Sequence, residues 1–408
     1  AGDLTQNVTR TSEPVYNLFV LAEKVQDSDP ELSERLLEEA EWGLDWVLKT
    51  RFGDGCRVIS NVSDYWTDGI IGTVDDEREI THRPARNDAS ANFHAARAET
   101  KAAVLLSAKD PIMANHALRC AEEDWSFAVE GIQDLDMNIA GLGLSASLSL
   151  YEATKDDKYR SAAISYGSYI VRCQQRDNLS ERVPLKGFFF GSERRERMPV
   201  PRSITSSEEH AVTGLVGLLR AFPDSEHAAA WETAIRLYAD YHKAIAAHTD
   251  PYSMLPAGLC DLNSAEDQIE EAKIKNGIRL DDRFYIKRFP VWTTGRGNTS
   301  VILSKAIGLA AIAKHLDDQE LLSIAYRQLD WLLGLNPFNQ SVMWGEGYRY
   351  QALYNPLIGN IVGAVPCGIH TKLNGDAPYW PSDTWHNPKE IWVTSSSDWL
   401  WLMTHFFE

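Results

Sequence analysis

Carboxylates set among aromatic side chains are the residues of this sequence best suited to carry out chemistry. The chain has 58 Asp and Glu residues and 13 Trp, and Glu390 lies between Trp385 and Trp392. The sequence has no GxxxxGK[S/T], GxGxxG, HExxH or GxSxG motif, so nucleotide binding, zinc proteolysis and α/β-hydrolase chemistry lose support. Inverting hydrolysis of a glycosidic bond needs one protonated and one ionised carboxyl group. The remaining residues therefore favour acid–base cleavage of a sugar linkage.

Amphipathic helices must position any such carboxylates, because their pattern fills most of the chain. Apolar residues three and four apart predict eleven helices, and the Asp-Pro pairs at 29–30 and 110–111 are typical of helix starts. The predicted helices span residues 14–25, 31–49, 89–107, 111–131, 138–153, 158–173, 206–221, 225–247, 298–315, 319–335 and 390–406. Ten of them form five pairs joined by short polar turns, and the eleventh stands alone.

This alternation of helix pairs and long segments predicts an all-α fold, an (α/α)6 barrel of helical hairpins. The long segments are rich in Gly, Pro, Trp, Tyr and charged residues, and they span 51–88, 175–205, 248–296 and 336–389. Segments of this length in a compact domain are usually functional. A helical solenoid would repeat with a fixed period of about 34 to 47 residues, which these spacings lack. Since no Pro/Ser/Gly-rich linker separates two bundles, we expect one catalytic domain over residues 1–408.

The charge of the chain limits its partners. A formal net charge of −18 repels polyanions, so nucleic acid and acidic membrane surfaces are poor partners. No window approaches the 18 apolar residues of a membrane span. The five Cys have no zinc-type spacing, and five N-x-S/T triplets occur. These triplets weakly favour an exported protein, and we expect it to be secreted or periplasmic.

The C-terminal segment contains LGLNP at 333–337, SVMWGEG at 341–347, IVGA at 361–364 and KE at 389–390. With these motifs in this order, the segment resembles glycoside hydrolase family 9, the cellulase family. The resemblance implies that Glu390, at the start of the predicted last helix, is the general acid. The family carries the base, an aspartate that activates water, in a DAGD motif. Because this chain begins with AGD, the resemblance assigns the base to Asp3, and it implies that one barrel helix and one aspartate precede Ala1.

Further residues are expected to bind the sugar chain, although each could instead be a packed loop aromatic or a surface charge. These candidates are Asp64, Trp66, Arg83, Trp292, Trp344, Arg349, Tyr350 and Trp385. Two segments depart from the family pattern. The family has HxHHR at the place where this chain has YRYQALY, at 348–354. It has Tyr/Trp-Asn-Ala at the place where this chain has TSSS, at 394–397. The family uses these positions to hold the sugar next to the cleaved bond, so we predict a remodelled −1 subsite and place ordinary cellulose in doubt.

Several functions remain open at this point. The first is an inverting hydrolase of β-linked polysaccharide or oligosaccharide, similar to an endo-β-1,4-glucanase. The others are an exo-acting β-glycosidase on a non-cellulosic glycan, a degenerate barrel that binds carbohydrate without cleaving it, and another barrel enzyme such as a lyase or an unsaturated-uronyl hydrolase. No cofactor is expected to be required. The acidic run at 75–77 could hold a structural Ca2+, but a solvated charge run is the commoner outcome.

Overall fold

A computed structural model describes most of the chain. The described residues are 6–63, 80–82, 84–195, 208–256, 258–289, 299–350, 353, 361–371, 375–380 and 389–407. Predictions made on Asp3, Asp64, Trp66, the run 75–77, Arg83, Trp292 and Trp385 lie outside these residues. All five cysteines lie within the described ranges and carry free thiols.

Twelve helices form the described structure. They are α1 (Val8–Val25), α2 (Pro30–Lys49), α3 (Ala89–Leu105), α4 (Pro111–Glu130), α5 (Met137–Thr154), α6 (Asp157–Arg172), α7 (Glu208–Ala221), α8 (Ala228–Ala246), α9 (Gln268–Lys275), α10 (Thr299–Leu316), α11 (Gln319–Leu332) and α12 (Val393–Phe406). The first backbone N–H groups of a helix lack partners within it, so a side chain that accepts from them fixes where it begins. Aspartates do so at Asp29, Asp88, Asp110, Asp136, Asp156, Asp267 and Asp318.

Six helices form a closed inner ring. Around the ring, α1 packs on α3, α3 on α5, α5 on α7, α7 on α10, α10 on α12, and α12 returns to α1. The helices α2, α4, α6, α8 and α11 lie outside it, each against the inner helix that precedes it in the sequence. This alternation confirms the predicted (α/α)6 barrel.

The inner helices are buried on more of their surface than an amphipathic helix would be. Among the described helices, α10 is the one whose length and composition would suit a membrane span, yet 83% of it is buried inside the protein. Its neighbours in the ring account for that burial, as is usual for a core helix. Close approach also matters at Gly141 of α5, where an added Cβ would lie 2.7 Å from the backbone nitrogen of Ala211 in α7. A glycine is therefore needed for these two helices to pack at this distance.

Eight short strands are described, one before α1 and seven in the segments between helices. Three form a sheet in the order β1-β2-β3, from β1 (Gln6–Asn7), β2 (Ser60–Ser63) and β3 (Ile80–His82). Three more, β4 (Leu259–Asp261), β5 (Ile278–Arg279) and β6 (Phe284–Ile286), pair in the order β4-β6-β5, and β7 (His370–Thr371) pairs with β8 (Pro378–Tyr379). All the pairings are antiparallel. The first sheet leads directly into α1 and so fixes where that helix enters the ring.

Several helix boundaries differ from the sequence predictions, among them the starts of the first and last helices, and one described helix was not predicted. Helix α1 begins at Val8 rather than Pro14, because Asn7 Oδ1 accepts a 3.0 Å hydrogen bond from the Thr9 amide and caps the helix. Pro14 therefore lies inside the helix. Helix α12 begins at Val393, three residues after the predicted start at Glu390. The eight-residue α9 lies in a segment predicted to be a loop.

Candidate active site

A cavity of about 270 Å3 lies at one end of the inner ring. Every inner helix lines it with a residue of its first turn. These residues are Thr9 and Arg10 of α1, Ser90 of α3, Asn138 of α5, Glu209 and His210 of α7, Ser300 of α10, and Thr394 of α12, and Ser397 at the start of the second turn of α12 lines the cavity too. The N-terminal end of a helix carries a partial positive charge and several N–H groups without partners inside the helix, of which a side-chain cap satisfies one or two. Six such ends around one cavity favour a ligand that is rich in oxygen atoms.

The first and last helices of the ring are joined at this cavity. The buried Asn17 of α1 donates from Nδ2 to the carbonyl of Ser397 (3.2 Å) and to its Oγ (3.0 Å) in α12. The two helices thus begin side by side. In the sequence Asp3 precedes the first residue of α1 by five positions, and Glu390 precedes the first residue of α12 by three.

Glu390 is half-buried in extended backbone just before α12. Its carbonyl accepts a 2.8 Å hydrogen bond from the Cys367 amide, and its neighbour Ile391 forms an antiparallel bridge with Pro366. This pairing is the reason that Glu390 does not open the helix as predicted. The indole N–H of Trp392 donates to Glu390 Oε2 at 2.8 Å. Arg10, which lines the cavity, lies over the Trp392 ring with its Cζ 5.4 Å from the centroid, so Glu390 is linked to the cavity rim.

One wall of the cavity carries a buried cluster of ionisable groups. Arg97 Nη1 donates to Glu13 Oε1 at 2.8 Å, and Glu13 Oε2 lies 3.5 Å from His94 Nε2 and 3.4 Å from His210 Nε2. Burial alone would raise the pKa of Glu13, but Arg97 and the two imidazoles hold the pKa of this carboxyl well below its usual range. Burial lowers the pKa of His210 to about 4 and also lowers that of His94. At neutral pH the carboxylate is therefore ionised and both imidazoles are neutral.

Two further carboxyl groups line the cavity and are hydrogen-bonded by serines. Ser304 donates to Glu209 and Ser300 donates to Asp398. Burial raises the pKa of Glu209 to about 8, and burial together with the charge of Glu209 raises the pKa of Asp398 well above its usual range. Protonated carboxyl groups can donate hydrogen bonds, so this wall of the cavity can offer donors as well as acceptors.

Sequence reasoning missed all six of the ionisable residues that line this cavity, which are Arg10, Glu13, His94, Glu209, His210 and Asp398. A signal was nevertheless present in the sequence. The run EEH at 208–210 begins a helix that is otherwise mostly apolar, and Glu208, Glu209 and His210 all lie on its buried face. Charged residues on a buried helix face are rare unless they are paired or functional.

Two of the predicted aromatic contacts, Trp344 and Tyr350, are described, and neither lines the cavity. Trp344 and Tyr350 come together with their ring centroids 5.4 Å apart and their planes at 63°. The Trp344 backbone pairs with Gly363 and Ala364, in the segment that continues to the partner of Glu390. Arg349 has an exposed side chain, and only its carbonyl makes a described bond, from the Ser341 amide (2.7 Å). Sugar binding by these three residues stays a prediction.

Comparisons with known proteins decide the family. The sequence profile of Glycosyl hydrolase family 9 matches residues 1–354. The chain belongs to this family. The matched residues end before Glu390, so the profile bears on the barrel rather than on the proposed acid. No curated protein sequence matches the chain.

Solved structures of family 9 enzymes share the fold. The cellulase Cel9M of C. cellulolyticum superposes with a TM-score of 0.67 at 14% identity, covering 100% of this chain and 87% of its own. A metagenome-derived family 9 endoglucanase has a TM-score of 0.66 at 17% identity, over 100% and 69% of the two chains. Endoglucanase CelQ from Clostridium thermocellum has a TM-score of 0.63 at 15% identity, covering 100% of this chain and 63% of its own. At such identities the likeness establishes the (α/α)6 architecture of this family 9 member.

Proposed function

We propose that this family 9 chain is an inverting glycoside hydrolase of β-linked polysaccharide or oligosaccharide, with Glu390 as the acid and Asp3 as the base. One observation carries the proposal. The helices that follow these two residues in the sequence are neighbours in the ring, they are joined through Asn17 and Ser397, and their first turns line one cavity. Asp3 and Glu390 each precede one of these two helices by a few positions in the sequence, which supports pairing them as base and acid.

The reaction would proceed in a single displacement. Asp3 takes a proton from a water molecule, the water attacks the anomeric carbon, and Glu390 protonates the departing glycosidic oxygen, which inverts the anomeric configuration. The hydrogen bond from Trp392 to Oε2 fixes the orientation of the Glu390 carboxyl group and leaves Oε1 for the leaving group. Arg10 and the protonated Glu209, which line the cavity, are suited to bind sugar hydroxyls.

A β-glucan is the first substrate to test. Relatives of this fold have been crystallised with such ligands: Cel9M with cellobiose, and CelQ with cellobiose and cellotriose. The cavity of this chain is lined by the short side chains of Thr394 and Ser397, where the family resemblance led us to expect a departure. We therefore propose endo-β-1,4-glucanase-like cleavage of a glycan that need not be cellulose. We also propose that the protein acts outside the cytoplasm, where its five N-x-S/T triplets could be used.

The test compares Glu390→Gln with the native chain across β-glucans, xyloglucan, mannan and glucosamine-containing chains. Released reducing ends are measured, and the anomer first formed is identified by NMR. Loss of a general acid should lower turnover by about 10²–10⁴-fold while glycan binding persists. The matched control is Glu346→Gln, because Glu346 is an exposed glutamate of a neighbouring loop.

Three outcomes would contradict the proposal. Unchanged turnover in Glu390→Gln would remove the acid assignment. Glycan binding by the native chain with no reducing ends from any substrate would favour a degenerate binding barrel. Products that absorb as unsaturated sugars would indicate a lyase.

A further inference from the structure

Three side chains with metal-binding atoms meet at the wall of the cavity. Glu13 comes from α1, His94 from α3 and His210 from α7, and their ligand atoms all lie within 4.8 Å of one another. Glu13 Oε2 is 3.5 Å from His94 Nε2 and 3.4 Å from His210 Nε2. In a tetrahedral site with bonds of about 2.0–2.2 Å, ligand atoms lie about 3.3–3.6 Å apart. Both measured distances fall in this range.

The surroundings of two of the three side chains, His94 and Glu13, orient them as metal ligands are usually oriented. His94 Nδ1 lies 2.8 Å from the Ser90 carbonyl oxygen. Because a carbonyl oxygen only accepts, Nδ1 must carry the proton of this hydrogen bond, and the lone pair is then on Nε2, which faces Glu13. Arg97 donates to Glu13 Oε1, which leaves Oε2 for another partner. Metal-binding histidines and carboxylates are typically held in this way by a second layer of hydrogen bonds.

Three atoms of the cluster lack hydrogen bonds in the part of the chain that the structure describes. They are Glu13 Oε2, His210 Nδ1 and Arg97 Nε, all of which are buried. Leaving a buried polar atom without a partner costs about 1–3 kcal/mol, and more when the atom is charged. A native protein seldom keeps a carboxylate oxygen in this condition unless a ligand, water or ion occupies the space beside it.

We propose that Glu13, His94 and His210 bind a divalent transition metal ion, with Zn2+ as the best match. Two imidazoles and one carboxylate are a ligand set that suits Zn2+ and not Ca2+ or Mg2+, which prefer oxygen ligands. The three residues line the cavity, so the fourth position of the metal faces it and is open to water or a sugar hydroxyl. Sites with three protein ligands and one open position can bind substrate at the metal.

The positive charge of Arg97 does not prevent this binding. Its guanidinium Cζ lies 3.5 Å from the ring centroid of Tyr16 and 4.7 Å from that of Trp401. Two aromatic faces with negative quadrupoles stabilise the cation, and Glu13 Oε1 neutralises it directly. Arg97 thus holds the carboxylate in place while Oε2 faces the two imidazoles.

The experiment titrates the chelator-treated full chain with Co2+ and then displaces Co2+ with Zn2+. We expect one Co2+ per chain and visible absorption of the intensity typical of a tetrahedral site. We also expect quenching of the fluorescence of Trp401, because its ring centroid lies 4.8 Å from that of His210. Glu13→Gln should weaken Co2+ binding by at least about 100-fold, beyond the 10–100-fold seen when only a supporting partner is removed. His227→Ala, which changes a histidine far from the cluster, should bind as the native chain does.

X-ray absorption of the Co2+-loaded native chain provides a second measurement that does not depend on the variants folding. Two imidazole ligands support the site, and a shell of oxygen atoms alone refutes it. Less than a tenth of an equivalent of bound Co2+ in the folded native chain, or native affinity in folded Glu13→Gln, also refutes it. Glu390→Gln should bind Co2+ normally, so a failure of the proposed hydrolysis is distinguishable from a failure of the metal site.

Discussion

Replacing Asn17 with alanine tests whether the contact between α1 and α12 stabilises the ring. The side chain is fully buried and makes two hydrogen bonds to Ser397, one to the carbonyl and one to Oγ. Losing these bonds costs about 0.5–1.5 kcal/mol each, and the Ser397 carbonyl, left without this donor, adds to the loss. The mutation also removes the buried Asn17 Oδ1, which has no described partner, so the free energy of unfolding should fall by about 1–3 kcal/mol in all. Ser397→Ala removes only the Oγ acceptor, so it should cost about 0.5–1.5 kcal/mol.

Urea unfolding followed by tryptophan fluorescence measures the loss of stability in each of these two variants. The midpoint should shift in Asn17→Ala with an unchanged m value, since the surface exposed on unfolding stays the same. The control is Asn115→Ala, an exposed asparagine of α4, whose effect should stay within about 0.5 kcal/mol. If Asn17→Ala loses no more stability than Asn115→Ala, the hydrogen bonds between the first and last helices do not hold the ring closed. Turnover is expected to fall as well, because an error of about 1 Å in the positions of reacting groups can cost about 10²-fold.

Two further predictions concern packing and pH. In Gly141→Ala the added Cβ lies 2.7 Å from the Ala211 nitrogen, so calorimetry should show that the free energy of unfolding falls by about 1–3 kcal/mol because of overpacking. The control is Gly191→Ala, which has open space at its Cβ and should lose almost no stability. Burial lowers the pKa of His405 to about 3 from its ordinary value of 6.5, so protonation of this imidazole favours the unfolded chain. The stability that the neutral imidazole contributes is complete above about pH 6.5. It declines by up to about 1.4 kcal/mol per pH unit as the pH falls towards 3. Acid titration of unfolding should therefore be flatter in His405→Leu than in the native chain, and parallel curves would contradict this.

The helices could be predicted from the sequence because their signals are local. Apolar spacing located eleven of the twelve described helices, and aspartate caps fixed most of their starts to within a few residues. Where a local signal was misread, the boundary was wrong. Pro14 suggested a helix start, but the cap at Asn7 is seven residues earlier. Glu390 was expected in α12, but pairing with the segment at Cys367 keeps its backbone extended.

The interior of the candidate site could not be predicted in the same way. The cavity takes one or two residues from the first turn of each of six helices, and those residues are far apart in the sequence. Glu13 and His210 meet only because α1 and α7 lie around the same ring. No spacing rule connects positions that tertiary packing alone brings together. A family motif could point to Glu390, since one short segment carries it, but no motif marked the buried cluster.

Closure of the ring between α1 and α12 has a consequence for the synthesis of the protein. Residues such as Asn17 and Ser397, which are 380 positions apart, can meet only after the last helix has left the ribosome. Until then the inner faces of the barrel stay exposed and prone to aggregation, and contacts of such long range slow folding. The proposed acid, Glu390, also lies just before α12 in the sequence, so on our proposal a nascent chain could not cleave glycans until this segment had been made.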